Sequence, residues 1–160
     1  MLNGKERTTS ERTIRVNAVI RDETGRVLLL DPADQRGMSL PSFDVSGAPL
    51  HASLRRGIRT ATGLDVSPVR LLALDVIPED RDKETPERYC LVFDCGRVGN
   101  APRILTHRAK YDGYVWAPEE DIAEHAEPHR ERRIRECLSA LESGESLCLE
   151  HGRRAGQEGD

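Results

Sequence analysis

Between Pro49 and Gly63 the chain carries Arg55, Arg56 and Arg59 and not one carboxylate. The whole interval between Asp44 and Asp65 is free of acids. Guanidinium groups without local partners hold phosphate or carboxylate through forked, charge-assisted hydrogen bonds. The chemistry open to this stretch is therefore anion binding, with Arg56 as its first candidate. The structural alternative is that Arg56 pairs with Asp44, Asp65 or another acid, while Arg55 and Arg59 form a solvated face. Asp44, just ahead of this stretch, is in addition a candidate site carboxylate.

Other chemistries are excluded. There is no Gly-rich phosphate loop, no nucleophile elbow and no His-Glu-x-x-His motif. Cys90, Cys95, Cys137 and Cys148 form no CxxC pair, which argues against zinc and for free thiols in a reducing compartment. A net charge of −4 gives no basic field for nucleic acid, and Glu131 and Glu136 balance the basic run "HRERRIR". No apolar run reaches the roughly 20 residues of a membrane span, and "MLNGKERTTSERT" lacks the apolar core of a signal peptide. A cytoplasmic location is expected.

The elements that must position these residues follow from periodicity. "TIRVNAVIRD" alternates, with Ile14, Val16, Ala18 and Ile20 opposite Arg15, Asn17 and Arg21, and predicts a half-buried strand. "DETG" turns into a second strand, "RVLLLD", to make a hairpin. "SLPSFDV" is a short extended piece. A helix spans about Leu50–Thr62, with Pro49 suiting its first turn, Gly63 its stop, and Leu50, Leu54, Ile58 and Ala61 its core stripe. "VRLLALDVI", "RYCLVFDCGRV" and "YVWAP" read as strands, with Asp75 and Asp94 facing outward or paired with arginine. "APEEDIAEH" starts a short helix, and Ile134, Cys137, Leu138 and Leu141 stripe a terminal one. The expected domains are a flexible 1–12, a folded 13–143 and a disordered polar tail at 144–160. The fold class is α/β, a three-layer α/β/α sandwich around a mixed sheet.

This order, with Leu40-Pro41 ahead of a turn and Thr62-Gly63-Leu64 closing a helix, resembles the Nudix hydrolases across roughly Thr13 to Ser143. Leu40, Pro41, Val45, Gly47, Arg56, Ile58, Gly63 and Leu64 match positions of the family's box. The chemical positions do not match. Ser42 stands for the opening glycine, and Ala48, Gly57, Thr60 and Ala61 stand where the family has its glutamates. Lys110 stands near the place of a further catalytic glutamate ahead of an aromatic strand. In the family those glutamates share a helical face and hold Mg²⁺ or Mn²⁺, which polarises a phosphoryl oxygen and activates water. Gly57, Thr60 and Ala61 offer one neutral hydroxyl among them, so no metal and no cofactor is expected.

The resemblance therefore implies a Nudix-type domain whose hydrolase site is decayed or remodelled. Its expected function is to bind a small anionic, nucleotide- or diphosphate-like ligand. Ser42, Phe43, Asp44, Ser53, Arg56, Thr60 and Lys110 are the candidate ligand residues. Phe43 either stacks on the ligand or plugs the pocket. Ser53, Gly57 and Ala61 make the old metal face small, either as room for a ligand or through drift. His107 borders the same region as an acid–base candidate. The competing reading is an active enzyme using relocated carboxylates such as Asp44, or metal-free chemistry in specialised metabolism. A homodimer, or a structural subunit paired with an active partner, is also compatible with the sequence.

Overall fold

The computed structural model describes residues 13–45 and 49–156. Among them, eight strands form one mixed sheet in the order β6-β2-β1-β5-β4-β7-β8, with β3 paired to β1 off that path. The strands are β1 (Thr13–Arg21), β2 (Val27–Pro32), β3 (Ser42–Asp44), β4 (Arg70–Ile77), β5 (Arg88–Arg97), β6 (Tyr111–Ala117), β7 (Leu147–Glu150) and β8 (Arg153–Arg154). The helices are α1 (Leu50–Thr62), α2 (Ile122–His125) and α3 (Pro128–Ser143), with a 3₁₀ turn at Glu119–Asp121 before α2. The α/β class and the mixed sheet are as expected from the sequence.

The sheet separates two cores. Val16, Ala18, Ile20, Leu28 and Leu30 pack with Leu54, Ile58 and Ala61 of α1. Val19, Leu29, Leu72, Val92 and Leu149 pack with Ile134, Cys137 and Ala140 of α3. Alternation along each strand sends neighbouring side chains to opposite layers. This makes β1 more buried than its amphipathic pattern predicts. Val16 through Ile20 are all buried, Asn17 included, because β1 runs between β5 on one side and β2 and β3 on the other. Ile14, assigned to the apolar face, is 48% exposed at the strand's start.

Helix α1 has the predicted bounds. Pro49 is its N-cap, and Gly63 closes it at φ 77°, donating its N–H to Arg59 O. A left-handed stop of this kind costs glycine nothing. Leu50 lies outside the buried stripe, which runs Leu54, Ile58, Ala61 and Thr62.

The C-terminal segment corrects the sequence reading. Residues 144–156 are not a disordered tail: β7 pairs in parallel with β4 and turns into β8, and Leu149 is fully buried. The ordered domain therefore runs past Ser143 to at least Arg154. The four residues of β7 are too short and too alternately polar to announce a strand. β4 supplies the edge that makes them one. The expected loose N-terminus at 1–12, box position Gly47 with its neighbours 46 and 48, and the last residues 157–160 lie outside the described residues.

This hairpin anchors α3. Asp75 of β4 is fully buried; its Oδ2 accepts from Arg133 Nε at 2.6 Å and its Oδ1 accepts the Gly152 N–H at 3.0 Å. Gly152 has φ 79°, and a Cβ there would sit 2.5 Å from His129 O. Only glycine lets the hairpin turn press this close to the first turn of α3. Asp75 is thus paired with arginine, one of the two fates its strand position allowed. Asp94 is also buried and meets the same fate more loosely, with Arg21 at 4.0 Å, while its Oδ1 accepts the Gly96 N–H.

Candidate ligand cleft

A cleft of about 760 Å³ opens between α1 and α3 beside the β3 end of β1. All seven sequence-predicted residues line it: Ser42, Phe43, Asp44, Ser53, Arg56, Thr60 and Lys110. They come from β3, α1 and the segment before β6, up to 68 positions apart between Ser42 and Lys110. His107 does not line the cleft; it is exposed, and its carbonyl accepts the N–H groups of Lys110 and Tyr111 in a turn. That turn places Lys110, whose own carbonyl accepts the Ala33 N–H at 2.8 Å.

Apart from Arg56, the α1 wall is small and neutral, lined by Ser53, Gly57 and Thr60. Gly57 faces Phe43, and a Cβ on Gly57 would lie 2.7 Å from the Phe43 ring. No ordinary side chain fits at 57 while Phe43 holds this position. The Phe43 ring is thus held against the helix while Phe43 also lines the cleft. Gly57 is likewise accounted for by close approach of the ring and not by an open ligand space.

The charge pairings divide the three arginines of α1. Arg55 and Arg59 both pair with Asp65, at 2.9 and 3.1 Å, on the solvated side. Arg56 is exposed, and among the described residues no acid lies within ion-pair distance of it. Asp44 pairs instead with Arg15, at 3.5 Å.

The opposite wall was not anticipated. Arg15 and Asn17 from β1, Arg88 and Cys90 from β5, and His129, Arg130 and Arg133 from α3 all line the same cleft. With Arg56 and Lys110, six cationic side chains (Arg15, Arg56, Arg88, Lys110, Arg130 and Arg133) face two carboxylates, Asp34 and Asp44. Arg133 is neutralised by Asp75. Arg130 donates through Nη1 to Arg36 O at 2.9 Å. Burial, then the charges of Arg130 and Arg133, push the His129 pKa down to about 4, so His129 is neutral at pH 7. Burial likewise raises the Cys90 thiol, which stays protonated. The one available signal for this wall was the polar face of β1, Arg15 and Asn17; nothing local ties it to Arg88 or Arg130.

The fold has a known association. No family model and no curated protein matches the sequence. Solved structures do match. The Nudix domain of Shewanella oneidensis NrtR, in complex with ADP ribose, aligns with TM-score 0.68 at 14% identity over 87% of this chain and 94% of that one. The MutT protein of Methanosarcina mazei Go1 aligns with TM-score 0.66 at 22% identity, covering 84% and 96%. An ADP-ribose pyrophosphatase from Streptococcus suis gives TM-score 0.61 at 17% identity, covering 86% and 98%. The chain thus has the Nudix fold.

That fold implies a divalent cation on α1, and the residues present do not fit one. A hard dication needs several oxygen ligands, carboxylates foremost. Positions 57, 60 and 61 provide Gly, Thr and Ala, and Asp44 is a single carboxylate, too few for such a site. Among the described residues there is no group of three or more His, Cys, Asp or Glu arranged to hold a metal. No helix among them is long and apolar enough to cross a membrane.

Proposed function

We propose that this protein binds a small anionic, nucleotide-like ligand in the cleft between α1 and α3, and that it does not hydrolyse diphosphates by the metal route of the Nudix hydrolases. The observation that carries the reading is the charge of the cleft, five cations against two carboxylates once Arg133 is set against Asp75, together with a helix face that lacks ligands for a metal. Cations attract the phosphates that a metal would otherwise neutralise. The cleft's volume of about 760 Å³ lies within the range of small-molecule and cofactor sites. The ADP ribose held by the NrtR domain supports the ligand class. Ser42, Phe43, Asp44, Ser53, Arg56, Thr60 and Lys110 are proposed ligand contacts, joined by the arginines of the far wall.

Calorimetry with ADP-ribose, ADP and sugar nucleotides, in EDTA, tests this directly. Binding without metal is expected from at least one of them, and silence across the panel would overturn the reading. Assayed with Mg²⁺ or Mn²⁺, the same compounds should remain intact. Brisk turnover abolished by EDTA would instead favour an enzyme with relocated carboxylates, Asp34 and Asp44 being those that line the cleft.

A further inference from the structure

An anionic ligand could be held by either wall of the cleft, and the walls are not equivalent. We propose that Arg15, Arg88 and Arg130 form a seat for the phosphate group of a phosphorylated small molecule, on the sheet and α3 side of the cleft. This rests on the reading that the cleft binds an anionic ligand, and says which group is held and where.

The three arginines converge from three elements. β1 and β5 run parallel, with Arg15 opposite Cys90 and Thr13 opposite Arg88. Arg88 and Cys90, two apart, share a face. Arg15 and Arg88 are therefore neighbours on one face, and Cys90 fixes which face, since it packs with Ile134 and Cys137 of α3. Arg130 reaches the same volume from the first turn of α3.

Two of the three are visibly incomplete. Among the described residues, the Nε atoms of Arg15 and Arg88 are buried without a hydrogen-bond partner, as are those of Arg21 and Arg132 outside the cleft. A buried donor left unmet is costly, and structures rarely retain one without a reason. Among the described residues no acid lies within ion-pair distance of Arg88. The guanidinium groups also sense one another. Burial, then the charges of Arg133, Arg88 and Arg15, lower the Arg130 pKa, with Glu127 opposing. An anion placed among them relieves that repulsion. The competing acid is Asp44, but it is 67% exposed and 3.5 Å from Arg15, a screened pair of little strength.

The geometry favours phosphate over carboxylate. A carboxylate presents two oxygens in one plane, which suits a single guanidinium fork. A phosphate monoester presents three acceptor oxygens in different directions, which suits three forks from three elements. The α1 wall complements this. Phe43 over Gly57, with the hydroxyls of Ser53 and Thr60 nearby, offers an apolar and neutral surface for the uncharged part of the same ligand.

The test is calorimetry in EDTA at low ionic strength with AMP, adenosine and inorganic phosphate. AMP should bind, adenosine should bind far more weakly, and inorganic phosphate should compete with AMP. Arg88→Gln and Arg130→Gln should each weaken AMP by about tenfold or more, the loss of a charged hydrogen bond. Arg153→Gln, which removes the same charge from an exposed position outside the cleft, should not. Melting temperatures without ligand check folding; any glutamine variant that melts early is replaced by Arg88→Lys, which keeps charge but loses the fork, and should still weaken AMP. Equal binding of AMP and adenosine would overturn the seat. So would a loss confined to Arg56→Gln and Lys110→Gln, which moves the phosphate to the α1 side and leaves the proposed function standing. No binding of AMP or of any panel nucleotide would overturn both.

Discussion

The two walls of the cleft differ in how they are held. The α1 wall is a local construction, made by one helix whose cleft-lining side chains are small or neutral apart from Arg56, and by one ring, Phe43, lying on Gly57. The α3 wall is assembled from β1, β5 and α3, and its placement depends on a buried ion pair between Asp75 and Arg133 and on the glycine turn that seals it. A wall made of steric fit tolerates loss of charge. A wall that holds several cations together needs a counter-charge elsewhere to hold its frame, and Asp75 provides it.

The largest expected effect tests that frame. Asp75→Ala leaves Arg133 charged, buried and unpaired, and frees the Gly152 N–H. Removing one partner of a buried pair costs about 3–5 kcal/mol. Urea denaturation should show this loss, and a change below about 1 kcal/mol would mean that the pair contributes no more than an exposed one.

The α1 wall should respond to size. Gly57→Ala would normally gain up to about 1 kcal/mol in a helix interior. Here the new methyl meets the Phe43 ring, and overpacking of this kind costs about 1–3 kcal/mol. In a Phe43→Ala background the same change should turn from unfavourable to favourable. Equal effects in both backgrounds would show that the ring moves aside freely.

Acid should affect the α3 wall selectively. His129 is neutral in the fold with its pKa near 4, against the ordinary 6.5 of a free histidine. Below 6.5 the unfolded chain binds a proton that the folded chain refuses, so stability is lost as pH falls from about 6.5 towards 4. The melting temperature should drop by a few degrees over that window, and His129→Gln should reduce the drop. An unchanged pH profile in that variant would place the acid sensitivity elsewhere.

The smallest effect is the one the α1 wall predicts for metals. Mg²⁺ or Mn²⁺ at millimolar concentration should leave the melting temperature of the free protein unchanged. A rise reversed by EDTA would reveal a donor set that α1 does not supply.

The sequence by itself determined a good deal of this protein. Pro49, the Leu54-Ile58-Ala61 stripe and Gly63 mark out α1 to the residue, because helix ends and apolar stripes are set by neighbours three and four positions away. The same local spacing identified a helix face without acids, and Ser42, Phe43, Asp44, Ser53, Arg56, Thr60 and Lys110 do gather in one cleft. Tertiary structure alone decided the rest. The pairing of β7 with β4 turned an apparent tail into part of the sheet, since a four-residue strand is stabilised by its neighbour's hydrogen bonds and not by its own pattern. The register of β1 against β5 set Arg15 beside Arg88, and the burial of Asp75 brought the first turn of α3 over them. Charges separated by more than seventy positions become neighbours only when the sheet closes, and no periodicity along the chain encodes that distance.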